Sequence, residues 1–223
     1  MLNARIQKPV WIGNDADLAA FDMACRLRVN YLVYLYCKDG LGIGVVNNGR
    51  TLAGASGFSP EISHVPYGRL DEECGYCHHT DCLQTDVTRD GYLHKYLGHA
   101  VADEAERHAE WNAFIEAVRR EEPNALRVTD ENAHILGQVC SLVAAVLRPE
   151  TFVLGGMPQP LFDRIRPIIE EELNSRERHA SPIEMRMDPD FQRTAALGAA
   201  ETLYLRWSPD LDELMGDEEE ERA

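Results

Sequence analysis

Between residues 55 and 89 the chain is turn-rich and poor in apolar residues, yet this segment holds three of its six cysteines. Cys74-Gly-Tyr-Cys77 is a CxxC pair, Cys82 follows it, and His64 stands ahead of it. Three thiolates and one imidazole make a closed tetrahedral Cys₃His set, the usual composition of structural zinc. A loop with so little to bury needs a clip to be ordered, and a bound metal contributes folding free energy directly. The same residues also read as free surface thiols, and His78 or His79 is near enough in sequence to replace one ligand. Cys25, Cys37 and Cys140 lie on apolar stretches and are expected to be core residues.

Outside that loop a core can form. The chain has 223 residues, 44% of them hydrophobic, enough for one large domain or two modest ones. Residues 9–13 are expected as a short buried strand, and 16–28 as a helix with Leu18, Phe21 and Cys25 on one face. Taken alone, Asp15 reads as the cap of that helix. Residues 31–37, YLVYLYC, have strand length and strand composition. Asn48-Gly49 signals a hairpin turn, so two or three antiparallel strands are expected between 31 and 54. Residues 55–89 are expected as loop.

The rest reads as mainly helical. Trp111, Phe114, Ile115 and Val118 mark one helix. Ile135, Val139, Leu142, Val143 and Val146 mark a longer one, with Thr129 or Asp130 as cap and Pro149 as stop. Residues 151–156 and 183–187 are expected as short strands. Helices are expected over 160–173, interrupted by Pro167, and over 195–204. The mixture predicts an α/β fold.

Charge excludes some roles. Lys and Arg total 22 against 38 Asp and Glu, a net charge of −16. Gripping a nucleic-acid backbone takes clustered cations, so no direct nucleic-acid contact is expected, nor docking on an anionic membrane. No run is apolar and long enough to span a membrane, and the start lacks the pattern of a signal peptide. A cytoplasmic location is the expectation, where cysteines serve as thiols or metal ligands. Residues 208–223 hold eight acids and one Arg and are expected to form a solvated, disordered acidic tail.

Several motifs, in order along the chain, resemble the ROK family of sugar kinases and sugar-responsive repressors. PVWIGND at 9–15 is similar to the family's strand ending in Asn-Asp, and GLGIGVVNNG at 40–49 to its Gly-rich hairpin. PEISH at 60–64 resembles Gly-Glu-x-Gly-His, and CGYCHHTDCLQ at 74–84 resembles Cys-x-Cys-Gly-x-x-Gly-Cys-x-Glu. LRPETFVLGGM at 147–157 and RTAALGAA at 193–200 resemble the stretch around the nucleotide-side glycine pair and the closing helix. The resemblance implies the carboxy-terminal lobe of an actin-like, hexokinase-like (RNase H-like) ATPase fold with an inserted zinc loop. Residues 1–30 would be a remnant of the interdomain strand and helix carrying Asn-Asp. Residues 31–207 would be the lobe, with its zinc loop at 58–84.

The resemblance also implies roles. Asp15 matches the catalytic base that deprotonates the attacking sugar hydroxyl. Asn14 and Glu61 match residues that hydrogen-bond sugar hydroxyls. His64 matches a residue that both binds zinc and touches the sugar, so zinc would shape the pocket rather than act as a Lewis acid. Gly40, Gly42, Gly44, Gly155 and Gly156 match nucleotide-side positions.

The departures from the pattern bear on activity. No counterpart of the family's Asp-x-Gly-Gly-Thr phosphate loop occurs in the 223 residues. Lys38-Asp39 stands where the kinases have Gly-Thr, and a carboxylate there repels phosphate. Gln84 replaces the closing Glu; it still accepts a hydrogen bond from a hydroxyl but carries no charge. The first Cys pair is one residue wider, His78 and Asp81 replace the two glycines of the zinc motif, and Pro60 and Ser63 replace those flanking Glu61.

The expected function is therefore a zinc-containing domain that binds a small sugar or amino sugar. It would be the effector-sensing part of a sugar-responsive transcriptional regulator, not catalytically competent alone. Two alternatives remain. One is an ATP-dependent kinase using ATP and Mg²⁺ on a hexose or N-acetylhexosamine, with Asp15 as base; the other is a remnant with only a structural zinc and an oligomer interface. Self-association into a homo-oligomer is implied by the resemblance.

Overall fold

A computed structural model describes residues 10–55, 57, 59–175 and 182–207. The acidic segment 208–223 lies outside them. Among the described residues, helix α1 (Asp15–Leu27) precedes strands β1 (Tyr31–Cys37), β2 (Leu41–Asn47) and β3 (Arg50–Thr51). Asn48 and Gly49 both have positive φ, 49° and 69°, the signature of the two-residue turn that matches strand twist. Strands β4 (Thr151–Gly155) and β5 (Glu184–Asp188) complete a mixed sheet of order β3-β2-β1-β4-β5. β1 pairs antiparallel with β2 and parallel with β4, and β4 pairs parallel with β5.

Both faces of the sheet are covered, which is why β1 is apolar throughout. Side chains alternate along a strand. Val33, Leu35 and Cys37 of β1 enter a large core with α2 (Leu83–Val87), α3 (Arg89–Leu97), α4 (Glu104–Arg119), α5 (Pro123–Leu147) and α6 (Gln159–Asn174). Leu32 and Tyr34 face the other way, into a second core with α1 and α7 (Phe191–Trp207). There the Tyr34 hydroxyl donates to Asp188 Oδ2 at 2.6 Å, and Asp188 Oδ1 accepts from Thr194 Oγ1 at 2.9 Å. β1, β5 and α7 are thus joined by one buried acid. Burial, then Asp188 as acceptor, pushes the Tyr34 phenol well above its ordinary pKa.

Helix α1 lies so close to its neighbours that no side chain fits between. A Cβ on Gly44 of β2 would stand 2.2 Å from the Ala16 carbonyl oxygen, and one on Gly198 of α7 would stand 1.8 Å from the Leu18 carbonyl oxygen. Ala16, Ala19, Ala20 and Ala24 supply the small buried side that this approach requires.

Several elements differ from expectation. Residues 10–13 form no strand; Trp11 and Ile12 are exposed, and no described strand pairs with this run. The cap of α1 is Asn14 rather than Asp15, which is its first helical residue. The 55–89 segment is not all loop: it ends in α2, whose Leu83 and Val87 are buried in the main core. Helix α5 starts at Pro123, well before the expected cap. Thr129 is buried inside it, its hydroxyl donating to the Ala125 carbonyl. No described helix is long and apolar enough to cross a membrane.

Overpacking at a backbone contact costs about 1–3 kcal/mol. Gly44→Ala and Gly198→Ala are expected to lose stability on that scale in urea melts. Gly40→Ala, whose new methyl would meet nothing within 4 Å, is expected to stay within about 0.5 kcal/mol of the parent.

Candidate functional site

The amino end of α1 is built from its own cap. Asn14 is extended, and its Oδ1 accepts from the Ala16 and Asp17 amides at 2.9 and 3.2 Å. Asp15 is exposed, and its Oδ1 accepts from the Ala16 amide at 2.9 Å. One turn into the helix, Asp17 accepts a hydrogen bond from Ser59 Oγ. Burial raises the pKa of the Asp17 carboxyl; the Ser59 bond opposes the rise and the Asp15 charge adds to it.

That bond ties the segment carrying Glu61 to α1. Buried Ser63 adds a second tie: its hydroxyl lies 2.9 Å from the Leu41 carbonyl oxygen on β2 and 3.0 Å from Glu61 Oε2, sharing one proton between them. Asn14, Asp15 and exposed Glu61 therefore stand on surfaces anchored to the same helix and strand.

His64 follows directly. The ligand atoms of His64, Cys74, Cys77 and Cys82 all lie within 4.8 Å of one another. His64 Nδ1 is 3.5 Å from Cys74 Sγ and 3.6 Å from Cys77 Sγ, and the Cys77 and Cys82 sulfurs are 3.1 Å apart. None of the six cysteines is in a disulfide. A tetrahedral ion with arms of ~2.3 Å to sulfur and ~2.0 Å to nitrogen has edges of ~3.8 Å between sulfurs and ~3.5 Å from sulfur to nitrogen; the two His64 distances match such edges, and the Cys77–Cys82 pair is tighter. His78 is turned elsewhere, its Nδ1 2.7 Å from Glu73 Oε1.

Backbone pairing holds this geometry. Pro66 bridges to Cys82, Leu83 N donates to the Val65 carbonyl, and Gln84 N donates to the Ser63 carbonyl. Cys74 N donates to the His79 carbonyl and His78 N to the Cys74 carbonyl, closing the knuckle.

The thiols are electrostatically unequal. Burial pushes Cys74 up, but the Cys77 and Tyr76 amides and the Gln84 side chain outweigh it and bring Cys74 to about 6. Cys82 is pushed up to about 12, by burial first and then by hydrogen bonding to Cys77 and Cys74. A cluster without a counter-charge concentrates one negative charge on the sulfur that accepts the most hydrogen bonds, and a cation removes that restriction.

Gln84 has a definite orientation: its Nε2 donates to Cys74 Sγ at 3.0 Å. Its amide nitrogen thus serves the cysteine cluster. Of the glycines, Gly42 and Gly44 face α1, and Gly155 abuts the Tyr34 hydroxyl, so packing accounts for all three. Gly156 has φ 88° beside the Tyr36 ring, and Gly40 faces open space. Next to Gly40, Asp39 is paired with Arg89 at 3.0 Å; Arg89, only 6% exposed, also reaches Glu104 at 3.0 Å, and its amide donates to the Lys38 carbonyl.

Sequence reasoning did not single out Asp17, Ser59, Tyr76, Asp86, Arg89 or Lys95. Buried Asp86 accepts from the Arg69 and Leu70 amides and pairs with Lys95, which pins the cysteine loop to α3. Charged residues inside helical stretches give no pattern that separates such anchors from a solvated face.

The ROK family model matches residues 1–204. The chain is 27% identical over 148 residues to an N-acetylmannosamine kinase of Shigella boydii, covering 64% of this chain and 47% of that protein. It thus spans about half the length of that relative. A ROK family glucokinase from Streptomyces griseus, solved with glucose and AMPPNP, superposes with a TM-score of 0.73 at 22% identity, over 90% of this chain and 70% of that one. A ROK family transcriptional regulator homologous to the E. coli MLC protein superposes with a TM-score of 0.72 at 20% identity, over 89% and 52%. At these identities the structural likeness speaks for the fold.

Purified chain is expected to carry about one zinc ion, as a Cys₃His set holds. Elemental analysis should find it, and Cys82→Ser should lose it. Gln84→Ala removes the donor to Cys74 Sγ and should weaken zinc about tenfold, the lower range for a group supporting a ligand. A chelator titration measures this.

Proposed function

This chain belongs to the ROK family, and on that premise we propose that it is a zinc-containing sugar-binding domain, the effector-sensing part of a sugar-responsive regulator. In this reading residues 31–207 are the carboxy-terminal lobe of the actin-like fold with its zinc loop at 58–84. Residues 1–30 bring in the Asn-Asp pair. A cytoplasmic location, a homo-oligomer and no direct nucleic-acid contact go with it.

The carrying observation is the triple anchoring of one short segment. Ser59 is tied to Asp17 of α1, Ser63 to Leu41 of β2, and His64 lies in the cysteine cluster. Glu61 is thereby held between the α1 terminus and the cluster. A small sugar or amino sugar presents several hydroxyls, and Glu61, Asp15 and Asn14 offer acceptors and an amide donor to meet them. Gln84 Oε1 is a further acceptor beside Cys74. His64, Cys74, Cys77 and Cys82 would hold zinc, whose contribution is to fix the loop rather than to polarise the ligand.

Asp39 argues for sensing over catalysis. It places a carboxylate, held by Arg89, beside the Gly-rich hairpin. Phosphoryl transfer rests on positioning and on stabilising phosphate charge, and a fixed acid works against both. The second reading is an ATP-dependent sugar kinase with Mg²⁺, the Gly40, Gly42, Gly44, Gly155 and Gly156 positions on the nucleotide side and Asp15 as base. It is favoured by the exposed Asp15 carboxylate and by the kinase relative.

Calorimetry with N-acetyl-D-mannosamine is expected to show binding that weakens about tenfold in Glu61→Ala, the size of a hydrogen bond to a charged group. Unchanged affinity would remove Glu61 from the site. A coupled assay is expected to show no sugar-dependent ATP consumption; turnover that vanishes in Asp15→Asn would establish the kinase reading instead.

A further inference from the structure

His64 turns Nδ1 toward the cysteine sulfurs. Its Nε2, on the other edge of the ring, therefore points away from the cluster. A metal-bound histidine usually has that second nitrogen fixed by a carboxylate or carbonyl, which sets the ring's orientation. Among the described residues none accepts from His64 Nε2.

What lies against the imidazole is an aromatic ring. Tyr76 stacks on His64 with centroids 4.9 Å apart and planes 14° from parallel, an offset arrangement of the favourable kind. Tyr76 is 80% exposed, so it contributes little to either core. Its backbone is nonetheless tied down, because its amide bonds to Cys74. The residue has this place because two residues, Gly75 and Tyr76, separate Cys74 from Cys77. The wider pair thus puts a flat side chain over the one ligand that is also a candidate for touching the sugar.

We propose that Tyr76 is a positioning residue for the ligand site: its ring clamps the face of His64 and keeps Nε2 aimed at a ligand hydroxyl. A stacked ring permits no rotation of the imidazole out of plane without loss of contact, which replaces the missing hydrogen bond to Nε2. A hydroxyl bonded to Nε2 lies in the imidazole plane, so the clamp fixes its height relative to Glu61. The ligand half of this inference rests on the sugar-binding reading; the clamp itself does not.

The test uses the zinc-loaded full chain with Tyr76→Ala and Tyr76→Phe. Proton NMR of His64 Hε1 reads the stack, elemental analysis reads zinc, and calorimetry with N-acetyl-D-mannosamine reads the site. Tyr76→Ala is expected to keep its zinc, to lose the ring-current shift on Hε1, and to bind the sugar about fivefold more weakly, the scale of one stacked aromatic pair. Tyr76→Phe, which keeps the ring and loses the hydroxyl, is expected to match the parent in all three. An unchanged Hε1 in Tyr76→Ala overturns the clamp. So does a Tyr76→Phe variant as impaired as Tyr76→Ala, or weakened binding that only follows lost zinc. If the parent chain binds no sugar, the sugar reading fails separately, and the Hε1 comparison still decides the clamp.

Discussion

The backbone contact between α1 and the sheet is the constraint on which the rest depends. Gly44 on one side and Gly198 on the other let the helix sit against β2 and α7 with nothing but small side chains between. A helix held at that distance cannot slide or tilt without a clash, because packed interiors give way poorly. Its amino end, with Asn14, Asp15 and Asp17, is therefore a fixed point. The Ser59 and Ser63 ties extend that fixed point into a segment with no regular structure of its own.

The cysteine loop is held at three levels. Its first residues hang from α1 and β2. Its middle is anchored by Asp86, which accepts from two loop amides and pairs with Lys95 in a buried position. A buried pair of this kind adds little net stability, but breaking it leaves an uncompensated charge and is costly. Its end enters the core through Leu83 and Val87. The cysteine cluster then needs to organise only the excursion from 66 to 82, where apolar contacts are few.

The legible parts of the sequence were those whose signal is local. The run 31–37 and the Asn48-Gly49 turn carry their structure in residue type alone, and spacing picked out the three clustered cysteines while leaving His64, His78 and His79 open as donors; the fold brings in His64. The run 10–13 has strand composition but pairs with no described strand, so composition misled. The start of α5 was hidden because Thr129 and Asn132 are buried polar residues on the core face, satisfied by the Ala125 and Asp86 carbonyls. Helix α3 was hidden for a related reason, since buried Arg89 and Lys95 break its apolar pattern. At the site, the cysteine cluster pointed to His64 and the family resemblance to Glu61, but the ties around them run through Asp17, Ser59 and Ser63. Such pairings depend on which segments meet in space.

The sheet order carries a consequence for how the chain reaches this state. β1 is the central strand, and its antiparallel partner β2 is next in sequence, joined by a tight connection. Its other edge is filled by β4, which arrives only after the cysteine loop and four helices have been made. Hairpin closure is fast, whereas long-range parallel pairing is slow. During synthesis the nascent chain thus presents an apolar strand, YLVYLYC, with one edge open for the time it takes to produce most of the domain. An open edge of that composition invites pairing with other chains. The early packing of α1 covers one face of β1 but cannot cap its edge, so the interval before β4 docks is when this protein is most exposed to misassembly.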